Sequence, residues 1–242
     1  MSAAGAILFA RYAYPPNELG YCGPVGAETL LDARAHADIE ARARAFEGAW
    51  SYLELLAEVT GDPDPLSEQV VEAYWVGSDL LDAVEPDVLV GRLERRFAGQ
   101  LGGSWRNARG RARAHHSFQV FEVYPWVGIL TRGATAGPAV NVLDRCRIRT
   151  GAVASVEGES ALVTTATLRW QDGALVHGDP VNERVRWSVD GRSLIDPPAV
   201  GDQVALHWDW VCETITPDQG RWIEGAERRQ LAVLGLAGST GE

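Results

Sequence analysis

A chain of 242 residues fits one large domain or two small ones, and 46% hydrophobic with 23% charged residues are ordinary globular values that exclude wholesale disorder. The formal net charge of −11 repels phosphate backbones and argues against a nucleic-acid partner. No apolar run approaches the roughly 20 residues that span a bilayer, and the amino terminus has no basic segment before its very short apolar run. A soluble, cytoplasmic protein with no membrane partner is therefore expected.

Three Cys without a CxxC spacing suggest neither a disulfide framework nor a structural zinc site. The Walker loop, GxGxxG, GxSxG and HExxH are also absent, which argues against a nucleotide-driven or common hydrolytic enzyme.

In chain order, the segment YAYPPNELGYCGPVG is rich in Pro and Gly, and predicts an irregular opening and not a continuous helix. Ile39, Ala43, Phe46, Trp50, Leu53 and Ala57 recur at three- and four-residue steps, which predicts one long helix from about Asp38 to Thr60, stopped by GDPDP. Ser67–Ala83 carries a second apolar stripe that includes Tyr74 and Trp75. Pro86, a good first-turn residue, opens a third helix to Phe97. The Gly- and Arg-rich stretch Gly99–Arg113 reads as a loop. HHSFQVFEVYPWVGIL, His115–Leu130, fits either a helix stopped at Pro125 or a strand. Arg132–Pro138 reads as a linker.

Beyond it, Arg147–Val156, Ser160–Leu168, Asn182–Val189 and Gln203–Thr214 predict strands, with turns at GE, QDG, HGDP, VDG and DPP. Pro217–Leu234 reads as a closing helix. The fold class is α+β: a mainly helical domain over 1–138, a small OB-like β-barrel with a C-terminal helix over 139–236, and a flexible tail over 237–242.

In the second half, Cys146 is followed five residues later by Gly151, then by AVASVEGESALV. Further on stands VGDQVALHWDWVCETITPDQ, with Gly201, Asp202 and His207. This ordered set resembles the HypC/HupF family of nickel–iron hydrogenase maturation chaperones over about 95 residues. The whole chain, with FARYAYPPNELGYCGP and HHSFQVFEVYPWVG, also looks like an uncharacterised hydrogenase-associated bacterial family. Two features depart from the chaperone pattern: Cys146 is internal, without a free α-amino group beside it, and the Leu168–Val200 connection is longer.

The resemblance implies an accessory protein that binds an Fe(CN)2CO-type iron centre, transiently, through Cys146 and His207. Its implied partners are a hydrogenase large-subunit precursor and a HypD-type scaffold, and no turnover is required. A soft thiolate suits low-spin iron, with an imidazole as second ligand. Arg145, Arg147 and Arg149 flank Cys146, and are expected to favour its thiolate and to hold anionic ligands.

The remaining candidates have plainer readings beside them. Free Cys is usually a small buried hydrophobe, and His207 between Leu206 and Trp208 also fits a structural His. Cys22 in GYCGP sits in a constrained loop that presents a thiol or merely packs. His115 and His116 carry ligand atoms, but adjacent side chains diverge by about 100° on a helix, so they do not readily chelate one ion. Alternation of one strand through Gln203–Thr214 puts His207 opposite Trp208 and Trp210, with Cys212 in the core. Trp126, Trp208 and Trp210 are candidates for an exposed partner surface. Glu157/Glu159 and Asp62/Asp64 read as turn residues. Two other classes compete with the carrier: a metal- or thiol-dependent enzyme whose Cys22, Cys146, His115 and His207 converge between the domains, and an interaction module without metal.

Overall fold

The computed structural model describes residues 3–99, 103–130 and 136–238. Its first half is helical: α1 Ala3–Glu18, α2 His36–Ala43, α3 Glu47–Thr60, α4 Glu68–Trp75, α5 Pro86–Arg96, the single turn α6 His116–Phe118, α7 Trp126–Leu130 and α8 Ala136–Cys146. The second half holds β1 Arg149–Glu157, β2 Ser160–Gln171, β3 Ala174–Arg186, β4 Gln203–His207, β5 Trp210–Thr214 and the terminal helix α9 Pro217–Gly238. The α+β class and the closing helix are as expected.

Several local expectations are corrected. The opening segment is helical through Pro15 and Pro16. Both prolines lie in the last turn of α1, where their missing N–H groups cost only two terminal bonds. The long helix over 38–60 is broken at Arg44–Phe46: Phe46 adopts ψ 78° and turns its ring edge-on to Phe9, 5.3 Å away in the core. The Ser67–Ala83 helix ends at Trp75, because Gly77 takes φ 108°. His115–Leu130 is helical, with a wide π-turn at Gln119–Val123.

Of the expected linker, residues 132–135 lie outside the described residues, and Pro138 sits inside α8. The tail expected over 237–242 is helical at residues 237 and 238, and the rest lies outside the described residues.

The strands pair in the order β1-β2-β3-β5-β4, with β4 returning to β1, so the sheet closes on itself. The β3–β5 seam is a single parallel pair, Arg186 with Trp210. HGDP is not a turn: β3 runs straight through it. Between Ala166/Pro180 and Leu168/His177 the register slips, which accommodates a proline that cannot donate to the ladder. Gln203–Thr214 is two strands, not one. His207 pairs with Trp210 across a turn at Trp208 and Asp209, and Trp208 takes φ 55°.

Gly151 stands where β1 closely approaches β2. A Cβ there would lie 2.4 Å from the Val163 side chain and 3.1 Å from the Thr164 carbonyl oxygen. Gly151→Ala is therefore expected to lower stability by about 1–3 kcal/mol through overpacking, read as a shift in the urea midpoint at unchanged slope.

Beside smaller clusters around α8 and inside the closed sheet, one larger apolar cluster is shared by the helices and the sheet. It runs from Phe9, Tyr12, Leu53 and Trp75 to Ala205, Trp210 and Cys212. The expected boundary near residue 138 thus falls within α8, and α8 packs on both α7 and β2. Trp208 and Trp210 are buried, at 5% and 3% exposure, which removes them from any exposed partner surface; Trp126 is half-buried. Cys212 is core, as expected. Glu159 accepts from Ser188 and the Gly191 N–H, and Asp62 accepts from Ser67, Gln69 and the Asp64 N–H, which are turn roles.

Candidate metal centre

Three ligand-type side chains converge in the seam between the helices and the sheet. His116 comes from α6, Cys146 from the last residue of α8, and His207 from the end of β4. One ligand atom from each lies within 4.8 Å of the other two, and all three residues are at most 5% exposed. Bonds of about 2.0–2.3 Å to one tetrahedral ion would draw the three together by roughly 1 Å.

Main-chain contacts bring them together. The Trp208 N–H donates to the Arg145 carbonyl at 2.7 Å, which ties the turn after His207 to the residue before Cys146. The Arg149 guanidinium donates to the Trp208 carbonyl at 3.0 Å. The third ligand is drawn in by a bond between His116 Nε2 and the Cys146 carbonyl, at 2.8 Å.

These bonds also decide which ring nitrogens are free. His207 Nδ1 donates to the Tyr12 carbonyl at 2.7 Å. In α1 that carbonyl would ordinarily accept from the N–H of residue 16, but residue 16 is proline. The proton on Nδ1 leaves His207 Nε2 as a lone pair, and this buried atom makes no hydrogen bond of good geometry, although the Cys146 carbonyl lies near the ring. His116 donates through Nε2, so its Nδ1 carries the lone pair. Tyr74 has one hydroxyl proton and two acceptors, the Gly48 carbonyl at 3.0 Å and His116 Nδ1 at 3.3 Å. Donation to the nearer leaves Nδ1 available. Trp75 packs against both rings, with centroids 4.5 Å from His116 and 5.6 Å from His207, and holds them in place.

Burial makes all three groups neutral at physiological pH. It pushes the Cys146 thiol well up, and the nearby Cys22 adds to the effect. It lowers His116 to about 4, against a small opposing pull from the Cys146 carbonyl. His207 is driven well below its ordinary value by burial and then by His116, with the Tyr12 and Cys146 carbonyls opposing. Neutral imidazoles with oriented lone pairs beside a thiol suit a borderline or soft transition metal.

A cavity of about 300 Å³ adjoins the three side chains. Cys22 and Tyr124 also line it, with the Cys22 sulfur 3.6 Å from the Tyr124 hydroxyl. Burial raises the Cys22 thiol pKa, opposed by that hydroxyl. Cys22 lies outside the set of three, on the rim of the same space.

The flanking arginines do not serve the centre, which corrects the expectation placed on them. Arg147, 2% exposed, is consumed by Asp144 at 2.8 Å and Glu227 at 2.7 Å. Arg149 pairs with Glu183 at 2.6 Å, and Arg145 reaches the same carboxylate at 3.4 Å. Their charge is neutralised, so the thiol is protonated and buried, not an exposed thiolate.

The two histidines diverge, because His115 has an extended backbone just before α6 and His116 opens the helix. His116 enters the centre, and His115 faces a different cavity. Cys146 with His207 was legible as a pair, and His116 was the underrated third. The orienting roles of Tyr12, Pro16 and Tyr74 carried no sequence signal, because each acts through contacts between distant segments.

Residues 1–239 match a family described as of unknown function, DUF6390. Nothing among the curated proteins or the solved structures matches.

Proposed function

The chain belongs to DUF6390, a family of unknown function, over residues 1–239, and we propose that it binds one transition-metal ion through His116, Cys146 and His207, as an accessory protein in metalloenzyme assembly. The observation that carries this reading is the buried convergence of two imidazoles and a thiol beside an open cavity. Burying His207 Nε2 without a hydrogen bond costs folding free energy that a metal would return. The three protein ligands leave a coordination position toward the cavity for an exogenous group.

The occupant favoured by the likeness of the second half to HypC-type chaperones is iron, in the form of an Fe(CN)2CO unit. The partners would then be a hydrogenase large-subunit precursor and a HypD-type scaffold. The closed sheet with its terminal helix would play the part of that family's OB-like barrel. Metal analysis of the protein purified anaerobically from its native host, with infrared spectroscopy of cyanide and carbonyl stretches, tests this. Iron with both bands, lost in Cys146→Ala, is the expected result. Bound metal without the bands keeps the centre and removes the hydrogenase cargo, and absence of metal removes both.

A second reading, a metal-dependent enzyme, rests on one specific feature. Cys22 and Tyr124 face the same cavity without belonging to the ligand set. Cys22→Ser would then leave metal content unchanged while abolishing turnover.

The state of the groups sets the pH dependence. The thiol is protonated and the imidazoles neutral near pH 7, so binding displaces one proton, from Cys146. Affinity is expected to rise roughly tenfold per pH unit from neutrality up to the thiol pKa. Below about pH 4 it falls more steeply, as His116 also protonates. Titration calorimetry in buffers of different ionisation enthalpy measures the proton count directly.

A further inference from the structure

A second cavity, of about 190 Å³, lies between the Gly77 turn, the start of α6 and one face of α9. It is separate from the metal centre, and the case for it does not depend on that centre. Arg113, Arg221 and Arg229 line it and no carboxylate does, in a chain whose net charge is −11. Arg113 pairs with Asp82 and Arg221 with Asp218, whereas Arg229 makes no ion pair among the described residues.

The wall of the cavity holds two buried polar side chains with unmet hydrogen bonds. His115 is 3% exposed, and its Nδ1 accepts from the Ser117 N–H at 3.0 Å. The ring proton is therefore on Nε2, which makes no hydrogen bond of good geometry, although the Val76 carbonyl lies near the ring. Gln230 is also 3% exposed, and its Oε1 has no donor. Buried polar groups left unpaired in this way call for an explanation such as a ligand. Trp222 supplies an apolar face.

We propose that this cavity binds a small organic anion, a phosphate or a carboxylate that also bears a hydroxyl or amino group. The guanidinium groups of Arg113, Arg221 and Arg229 take the anionic oxygens, in the planar geometry that suits both groups. The His115 N–H supplies a further donor at depth. Gln230 Oε1 accepts from the ligand's hydroxyl or amine, and its carbon skeleton lies against Trp222. The cavity's volume limits the ligand to a few carbons.

The test uses the metal-free full chain, with inorganic phosphate and citrate as probes and sodium chloride at matched ionic strength as the control. Thermal unfolding and titration calorimetry are compared for wild type, Arg229→Gln and, as a control for loss of one positive charge, Arg184→Gln on the exposed face of β3. Phosphate, citrate or both should raise the unfolding midpoint where chloride does not. Arg229→Gln should weaken binding about tenfold, from the loss of a charge-assisted contact, and Arg184→Gln should leave it unchanged. Response to only one probe assigns the anionic group. No response to either probe at tens of millimolar, or equal binding in wild type and Arg229→Gln, overturns the proposal.

Discussion

Cys146→Ala is expected to cut metal affinity by more than about a hundredfold, because even a group that merely orients a ligand is worth roughly 10–100-fold. Cys146 is the one ligand of the three that becomes anionic, and it supplies the charge that offsets an ion in a buried site. The substitution removes a small side chain at the end of α8, so folding should survive. Cobalt(II) titration reads the loss directly, since a thiolate-to-cobalt charge-transfer band appears only while Cys146 is a ligand. His207→Ala should weaken binding yet retain that band. Retention of the band in Cys146→Ala would show that a different sulfur, Cys22, holds the ion.

Arg147→Ala should do the reverse: it should destabilise the fold by about 3–5 kcal/mol and leave metal affinity of the folded protein nearly unchanged. Arg147 is one of the largest fully buried side chains. It donates to Asp144 through Nε and Nη2, to the Ala166 carbonyl at 2.6 Å, and pairs with Glu227 at 2.7 Å. Its loss strands two buried carboxylates of which one, Glu227, is already raised by burial and held down by Arg147. Urea unfolding measures the cost, and metal titration of the folded fraction checks the independence. A loss of affinity with intact stability would restore Arg147 to the ligand site.

These two neighbours show the limit of reading chemistry from sequence adjacency. Arg145, Arg147 and Arg149 surround Cys146 in the chain and suggest a thiolate. In space their guanidinium groups turn to Asp144, Glu183 and Glu227, residues up to 80 positions away. Charge matters by distance, and the nearest titratable influence on the Cys146 thiol after burial is Cys22, from the far end of the chain. His115 and His116 teach the same lesson in reverse: adjacency suggested that they would not share a metal, and the switch from extended backbone at His115 to helix at His116 sends one to each of two cavities.

What the sequence determined by itself was local. Periodicity and turn chemistry placed the helical stripes of α2 to α5, the strand-rich second half and the closing helix, because these depend on residues a few positions apart, and left α1 and α8 unread. Chemistry-bearing types singled out Cys146 and His207, with His116 and Cys22 behind them. The misreadings were also local rules overridden by packing. Pro15 and Pro16 end α1 instead of excluding it, Phe46 breaks a helix to reach Phe9, and Trp208 turns a strand into a hairpin.

Only the tertiary structure decided that His116, Cys146 and His207 meet, because that meeting rests on contacts across 30 to 195 positions of chain. A helix that ends in proline leaves the Tyr12 carbonyl free for His207, and a main-chain bond seats His116 on Cys146. Such bonds form only once the shared core has brought the segments together, and no periodicity in the sequence encodes them.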